Sequence, residues 1–145
     1  MRLVVATPTK IEFDEDVESI IAPAYDGYLG VLPGHVPLIT MLRTGVLTVK
    51  SGRGRIEFAV SEGYMEVTPG KVIVLAEAVE MAEEIDVERA LEAKRRAEEL
   101  LSKSTEHIDY VATRAALERA LNRLKVARQK GPKDESGPPL HEPRD

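Results

Sequence analysis

Over residues 1–85 the apolar positions fall in short runs rich in Val, Ile and Tyr, separated by turn-forming pairs. Leu3–Thr7, Val17–Ala22, Gly45–Lys50, Ile56–Val60, Tyr64–Thr68 and Lys71–Glu77 read as strands, and Asp26-Gly27, Ser51-Gly52 and Pro69-Gly70 as turns between them. Strands spaced about 8–12 residues apart with hairpin-length links predict an antiparallel β-sandwich or flattened barrel. Pro33 and Pro37 keep Leu32–Leu38 out of a central strand, because proline cannot donate to a ladder; a Gly-flanked loop or sheet edge is predicted there.

From Asp86 the apolar period becomes helical. Asp86 is a predicted N-cap, and Val87, Ala90, Leu91, Ala97, Leu100 and Leu101 follow at helical spacing up to a break near Ser102–Thr105. A second helix is predicted from Thr105 to Gln129. Its stripe comprises Ile108, Val111, Ala112, Ala115, Ala116, Ala120, Leu121, Leu124 and Ala127, and Gly131-Pro132 ends it. The short link makes the two helices antiparallel neighbours, and their alanines permit close approach. Alanine buries far less surface than leucine, whose full burial is worth roughly 1.5–3 kcal/mol. A two-helix arm built this way docks marginally and is able to move. Residues 131–145 are Pro-rich and charged with little to bury, which predicts a disordered tail.

Composition narrows the picture. Aromatics make up only 4% of the chain and Trp is absent, so the core must be aliphatic. With no cysteine, a disulfide scaffold, a thiolate zinc site and a cysteine nucleophile are all excluded. No run approaches the roughly 20 apolar residues of a membrane span, and the start lacks a signal-peptide layout; a soluble, non-secreted protein is expected. Only one Asn (Asn122) and one Gln (Gln129) occur, a weak compositional lean towards heat tolerance. The net charge of −5 argues against a protein that coats nucleic acid. That charge is unevenly divided: −6 over residues 1–85, +3 over 86–130 and −2 over 131–145.

Catalytic chemistry is not evident. Gly70-Lys71 lacks the rest of a phosphate loop, and Ser61 lacks a nucleophile-elbow setting. His35, His107 and His141 are scattered, with His35 read as a turn histidine holding a structural hydrogen bond. The Asp14–Asp16 acidic run lacks the glycine and distal glutamate of a calcium loop and reads as a solvated hairpin end. Two features remain. One is the loop Gly27-Tyr28-Leu29-Gly30-Val31-Leu32-Pro33-Gly34-His35-Val36-Pro37-Leu38, whose apolar residues between turn-formers either close a sandwich end or meet a partner. The other is the arginine pattern. Arg89 has Asp86 or Glu92 within helical reach, and Arg96 has Glu92 or Glu99. Arg119 and Arg123 stand one turn apart with no acid at helical spacing. Their counter-charge must come from Glu88 or Glu92 across the hairpin, from solvent, from a partner or from a bound anion.

Three motifs in order, Gly30-Val31-Leu32-Pro33-Gly34-His35-Val36-Pro37-Leu38, Ser61-Glu62-Gly63-Tyr64-Met65-Glu66-Val67 and Ile85-Asp86-Val87-Glu88-Arg89-Ala90, closely resemble the epsilon subunit of bacterial F-type ATP synthases. The last motif leads into Ala93-Lys94-Arg95-Arg96-Ala97-Glu98, and the resemblance runs from residue 1 to about 129. It implies a non-catalytic subunit with a rotor-binding sandwich (1–85), a regulatory hairpin (86–130) and a tail outside the pattern (131–145). The implied partners are the gamma subunit, the membrane c-ring and, in an inhibited state, the catalytic beta subunit. The implied location is peripheral, on the cytoplasmic face of the bacterial inner membrane. Tyr28, Leu29, Gly30 and His35 fall at the implied rotor contact, with Tyr28 where relatives often carry an acid. Arg114, Arg119, Arg123, Lys125 and Arg128 are the bases of the second helix implied to meet the beta subunit. No cofactor is required, but some members bind ATP in the folded hairpin. That pattern matches here at Glu80, Ile85, Asp86, Arg89, Ala90, Arg96, Arg119 and Arg123, while Ala112 replaces a further arginine of the nucleotide-binding members. A freestanding module that binds ligand or nucleic acid through the basic helix is the alternative.

Overall fold

The computed structural model describes residues 1–103 and 109–128. Ten strands form a two-layered, nearly closed sheet: β1 (Arg2–Ala6), β2 (Ile11–Asp16), β3 (Ser19–Ala24), β4 (Gly27–Val31), β5 (Leu38–Leu42), β6 (Gly45–Ser51), β7 (Gly54–Val60), β8 (Gly63–Thr68), β9 (Lys71–Ala76) and β10 (Val79–Met81). The order β10-β7-β6-β3-β5-β8-β9-β1-β2 turns from one layer to the other at β3, which meets β5 through the single pair Ala24↔Leu42. The edge strand β4 lies off this path, against β3.

The sandwich expectation holds, with four strands beyond the six predicted: β2, β4, β5 and β10. They escape a pattern search because they are edges or partly exposed, so their alternation is diluted by charge (β2) or by apolar residues facing outwards (β5). The prolines act as anticipated: residues 32–37 form the loop between β4 and β5. One pairing is not antiparallel, since β1 runs parallel to β9 in register Leu3↔Val72. The acidic run is also corrected. Asp14, Glu15 and Asp16 belong to strand β2; Arg2 pairs with Asp14 and Asp16, and Arg53 pairs with Glu15.

Alternating inward residues of both layers fill the core. Leu47, Val49, Phe58 and Val60 face Leu3, Val5, Met65, Val72 and Val74. The only two phenylalanines meet edge to face, Phe13 against Phe58, at 5.5 Å and 76°.

After β10, one 3-10 turn (Ala82–Glu84) leads to α1 (Val87–Lys103) and then α2 (Tyr110–Ala127). Asp86 caps α1 as predicted, its Oδ1 accepting from the Arg89 N–H at 3.1 Å. The second helix begins later than expected because Asp109, in extended conformation, caps it by accepting from the Ala112 N–H at 3.0 Å. The expected helical residues 105–108, the last predicted turn at 129 and the tail 131–145 lie outside the described residues. Only part of the expected stripe is covered: Ala90, Ala97, Ala120 and Ala127 are buried, but Val111 is 78% exposed, and Leu91 and Leu121 also face out, while Val126, outside the expected stripe, is fully buried. Apart from Val126, alanines are the residues the helices bury most fully, while Leu101, Leu117 and Leu124 are only half-buried.

Candidate functional site

The hairpin rests on the body through α2, which packs over β6, β7 and the 3-10 turn. The apolar part of this contact is small. Val126 and Ala127 close against Val46, Ala59, Ala82 and Ile85, forming a cluster separate from the main core. The polar part is specific. Glu80 on β10 receives Arg123 in a two-point bond, Nε to Oε1 at 2.6 Å and Nη2 to Oε2 at 3.0 Å. The carboxylate hydrogen bond is the largest influence on Arg123 and raises its pKa above the ordinary guanidinium value; burial opposes this, and the charges of Glu80 and Asp86 add to it. Both side chains are partly exposed, 40% for Arg123 and 25% for Glu80, so the pair is worth only about 1 kcal/mol despite its good geometry. One residue earlier, Asn122 Nδ2 donates to the Gly45 carbonyl at 2.7 Å.

These contacts correct one expectation. Arg123 takes its counter-charge from the β body and not from Glu88 or Glu92 of the facing helix. Arg119 makes no ion pair among the described residues. It stands at the rim of a cleft of about 130 Å³ together with Thr44, Val60, Ser61, Glu80, Asn122 and Arg123. Thus Glu80, Arg119 and Arg123 come together in one cleft, with Asp86 near enough to act on Arg123. The others of the implied nucleotide set do not line it. Ile85 is buried in the docking cluster and Ala90 in the helix contact, where both serve packing. Arg89 is exposed and makes no ion pair among the described residues, contrary to the local pairing expected with Asp86 or Glu92. Arg96 does pair with Glu92, at 3.6 Å, and Arg95 shares that carboxylate.

The loop residues divide. His35 Nδ1 bonds the Val36 carbonyl at 2.7 Å, the turn role expected of it. Leu29 packs against the core from β4, while Gly30 is exposed on that edge strand. Tyr28 is 38% exposed and faces the hairpin side, its Oη accepting from the Val46 N–H at 3.1 Å. It lines a wide cleft of about 630 Å³ with Tyr25, Met41 and Arg43 of the body and Leu121 and Lys125 of α2. Of the bases of α2, Arg114, Arg119 and Arg128 are exposed, Arg123 is held by Glu80, and Lys125 is half-buried in that cleft. Sequence reasoning missed Asn122, Thr44 and Ser61. A lone Asn inside a helix, where it is a poor helix former, was the available signal for the first. Among the described residues no group of three or more His, Cys, Asp or Glu is arranged to hold a metal, and no helix is long and apolar enough to cross a membrane.

A near-barrel sandwich followed by a two-helix hairpin, docked on the body through one basic helix and a few contacts, is the class of fold this chain defines. Comparison with known proteins makes this particular. Residues 1–82 match the family model described as ATP synthase, Delta/Epsilon chain, beta-sandwich domain, and residues 83–128 match ATP synthase, Delta/Epsilon chain, long alpha-helix domain. The ATP synthase epsilon chain of Desulforamulus reducens is 45% identical over 126 residues, 87% of this chain and 96% of that one. That of Bacillus licheniformis is 43% identical over 128 residues, 88% and 98%. A chain in the cryo-EM structure of the Euglena gracilis mitochondrial ATP synthase (OSCP/F1/c-ring) superposes with a TM-score of 0.72 at 25% identity, covering 88% of this chain and 80% of that one. This chain belongs to the ATP synthase delta/epsilon family.

Proposed function

We propose that the protein is a non-catalytic subunit of the central stalk of a proton-translocating ATP synthase, held by gamma and the c-ring, whose hairpin is a reversible brake on ATP hydrolysis. The reading is supported by the family, by the c-ring complex to which the similar Euglena chain belongs, and by the sparse docking of the arm. The observation that carries it is the composition of that docking: two small apolar residues, one ion pair and one amide hydrogen bond are all of a size that another surface can replace. Once free, α2 presents Arg114, Arg119, Arg123, Lys125 and Arg128 to an acidic surface of a beta subunit, an attraction that salt screens. The complex sits peripherally on the cytoplasmic face of the bacterial inner membrane. Deleting residues 86–145 is expected to raise ATP hydrolysis by the assembled enzyme; equal rates with and without the hairpin would sink the brake.

ATP is a regulatory ligand of the docked hairpin in this reading, with no cofactor needed otherwise. The cleft of about 130 Å³ is smaller than the roughly 300–1,000 Å³ of ordinary small-ligand sites. A nucleotide therefore enters by exchanging with Glu80 for Arg123, its phosphates joining Arg119 and Arg123 while Arg89 and Arg96 swing in from α1. Calorimetry on the isolated chain checks this. Heat with ATP that disappears in Arg89→Ala and Arg123→Ala supports it, and no heat at millimolar ATP ends it. Membership of the family removes the ground for a freestanding nucleic-acid module.

A further inference from the structure

One peptide unit, Gly45–Val46 at the start of β6, is held from both ends. Its carbonyl accepts from Asn122 Nδ2 at 2.7 Å, and its N–H donates to Tyr28 Oη at 3.1 Å. Asn122 belongs to α2, 77 residues away, and Tyr28 to the edge strand β4. Position 45 has no room for a side chain. A Cβ on Gly45 would stand 2.6 Å from Pro23 Cβ and 2.9 Å from Tyr28 Oη, and Pro23 is the β3 partner of Tyr28. Hydrogen bonds in series through one amide polarise each other, so weakening either end weakens the other. Val46 is buried, so its N–H has no ready replacement acceptor in water if the phenol leaves. The phenol ring itself stays reachable, being 38% exposed in the wide cleft beneath α2.

We infer that the Gly45–Val46 peptide is a relay coupling the edge strand β4 to the docking of the hairpin: a partner surface that takes up Tyr28 loosens the hold on Asn122, and release of α2 frees Tyr28. The inference rests on the proposed reading that the hairpin undocks. Coupling of this kind is reciprocal, since both contacts share one equilibrium. Tyr28 is thereby a positioning residue that acts on the arm through a backbone amide without holding the arm's polar latch itself.

The test uses the full chain, which has no cysteine of its own, with cysteines at the exposed Thr9 and Val111 carrying a dye pair. The ratio of docked to undocked hairpin is read by energy transfer in Tyr28→Phe, Asn122→Ala, the double variant and Arg123→Ala. Tyr28→Phe and Asn122→Ala are each expected to lower the ratio about 3- to 10-fold, the range for one hydrogen bond, and the double variant by clearly less than the product. Val126 and Ala127 cover Val46, so any undocking quickens exchange of its amide; at equal docking that exchange is expected to be faster in Asn122→Ala than in Arg123→Ala, a difference that a merely structural role for Asn122 would not produce. Tyr28→Phe without effect, or a double variant equal to the product, overturns the relay. Where Arg123→Ala still loosens docking, that failure belongs to the relay alone. If Arg123→Ala and Asn122→Ala both leave docking unchanged, the arm does not undock and the relay falls with that reading.

Discussion

The body and the hairpin bury apolar surface in opposite ways. The body buries large side chains from both layers, with Phe58, Leu3, Ile20, Leu47 and Met65 almost wholly enclosed in one continuous core. The hairpin buries alanines and leaves Leu91, Leu100, Val111 and Leu121 partly or largely in solvent. Close packing without bulk fixes how near two helices approach but supplies little energy to hold them on a third surface. In the body, then, apolar burial determines structure. In the arm a few polar contacts, Glu80 to Arg123 and Asn122 to Gly45, determine position.

The sharpest way to break that contrast is to remove one large side chain from each part. Phe58→Ala deletes the ring that Phe13 meets and leaves a cavity between the layers; a loss of about 3–5 kcal/mol is expected, visible as a large drop in Tm. Val126→Ala, in the docking cluster, removes two methyl groups worth roughly 1.5 kcal/mol. Its effect is expected on protection of α2 amides from exchange, with the melting of the body nearly unchanged. A Val126→Ala variant whose body melted as early as Phe58→Ala would show one core where two are described.

A smaller effect tests the polar latch. Glu80→Gln keeps the shape of the acceptor and removes its charge, so docking is expected to weaken by about 0.5–1 kcal/mol and to lose part of its salt dependence. The pH dependence follows from Arg123. A basic group whose folded pKa is raised contributes fully below its ordinary guanidinium value and loses that contribution only as pH rises through the raised value. Arg123 therefore holds the arm equally at pH 7 and pH 9. Exchange protection of α2 that fell over that interval would place the latch on another group.

Legibility in the sequence follows the same division. Strands with inward alternation, such as Lys71–Ala76, and the Pro69-Gly70 turn announce themselves because period and turn chemistry are local. Gly70 takes φ +76 there, a conformation glycine adopts without strain. The N-cap of α1 was equally local. By contrast β10 has three residues, no pattern can show at that length, and it is β10 that carries Glu80. The partner of Arg123 was unreadable for this reason: 43 residues and a change of structural class separate the two. Helical spacing correctly excludes an acid of α2 as the partner of Arg123 and then favours the facing helix, whereas the body supplies it. Motif matching named the charged residues of the cleft, Glu80, Arg119 and Arg123, but could not tell them from Ile85, which packs beneath the arm, or Ala90, which is buried within it.

Arg96 marks the lower end of the scale. It is exposed, and its link to Glu92 is a one-turn helical pair of the kind worth about 0.2–0.5 kcal/mol, shared moreover with Arg95. Arg96→Ala is therefore expected to leave both the Tm of the body and the docking of α2 within error, because Arg95 keeps the carboxylate occupied and alanine is the better helix former. That neutrality separates folding from ligand. Any loss of ATP heat in Arg96→Ala has to come from a contact the side chain makes only with bound nucleotide, since nothing in the unliganded arm depends on it. An unchanged ATP isotherm, measured beside unchanged stability, would remove Arg96 from the nucleotide set and leave the arginines of α2 as the phosphate partners.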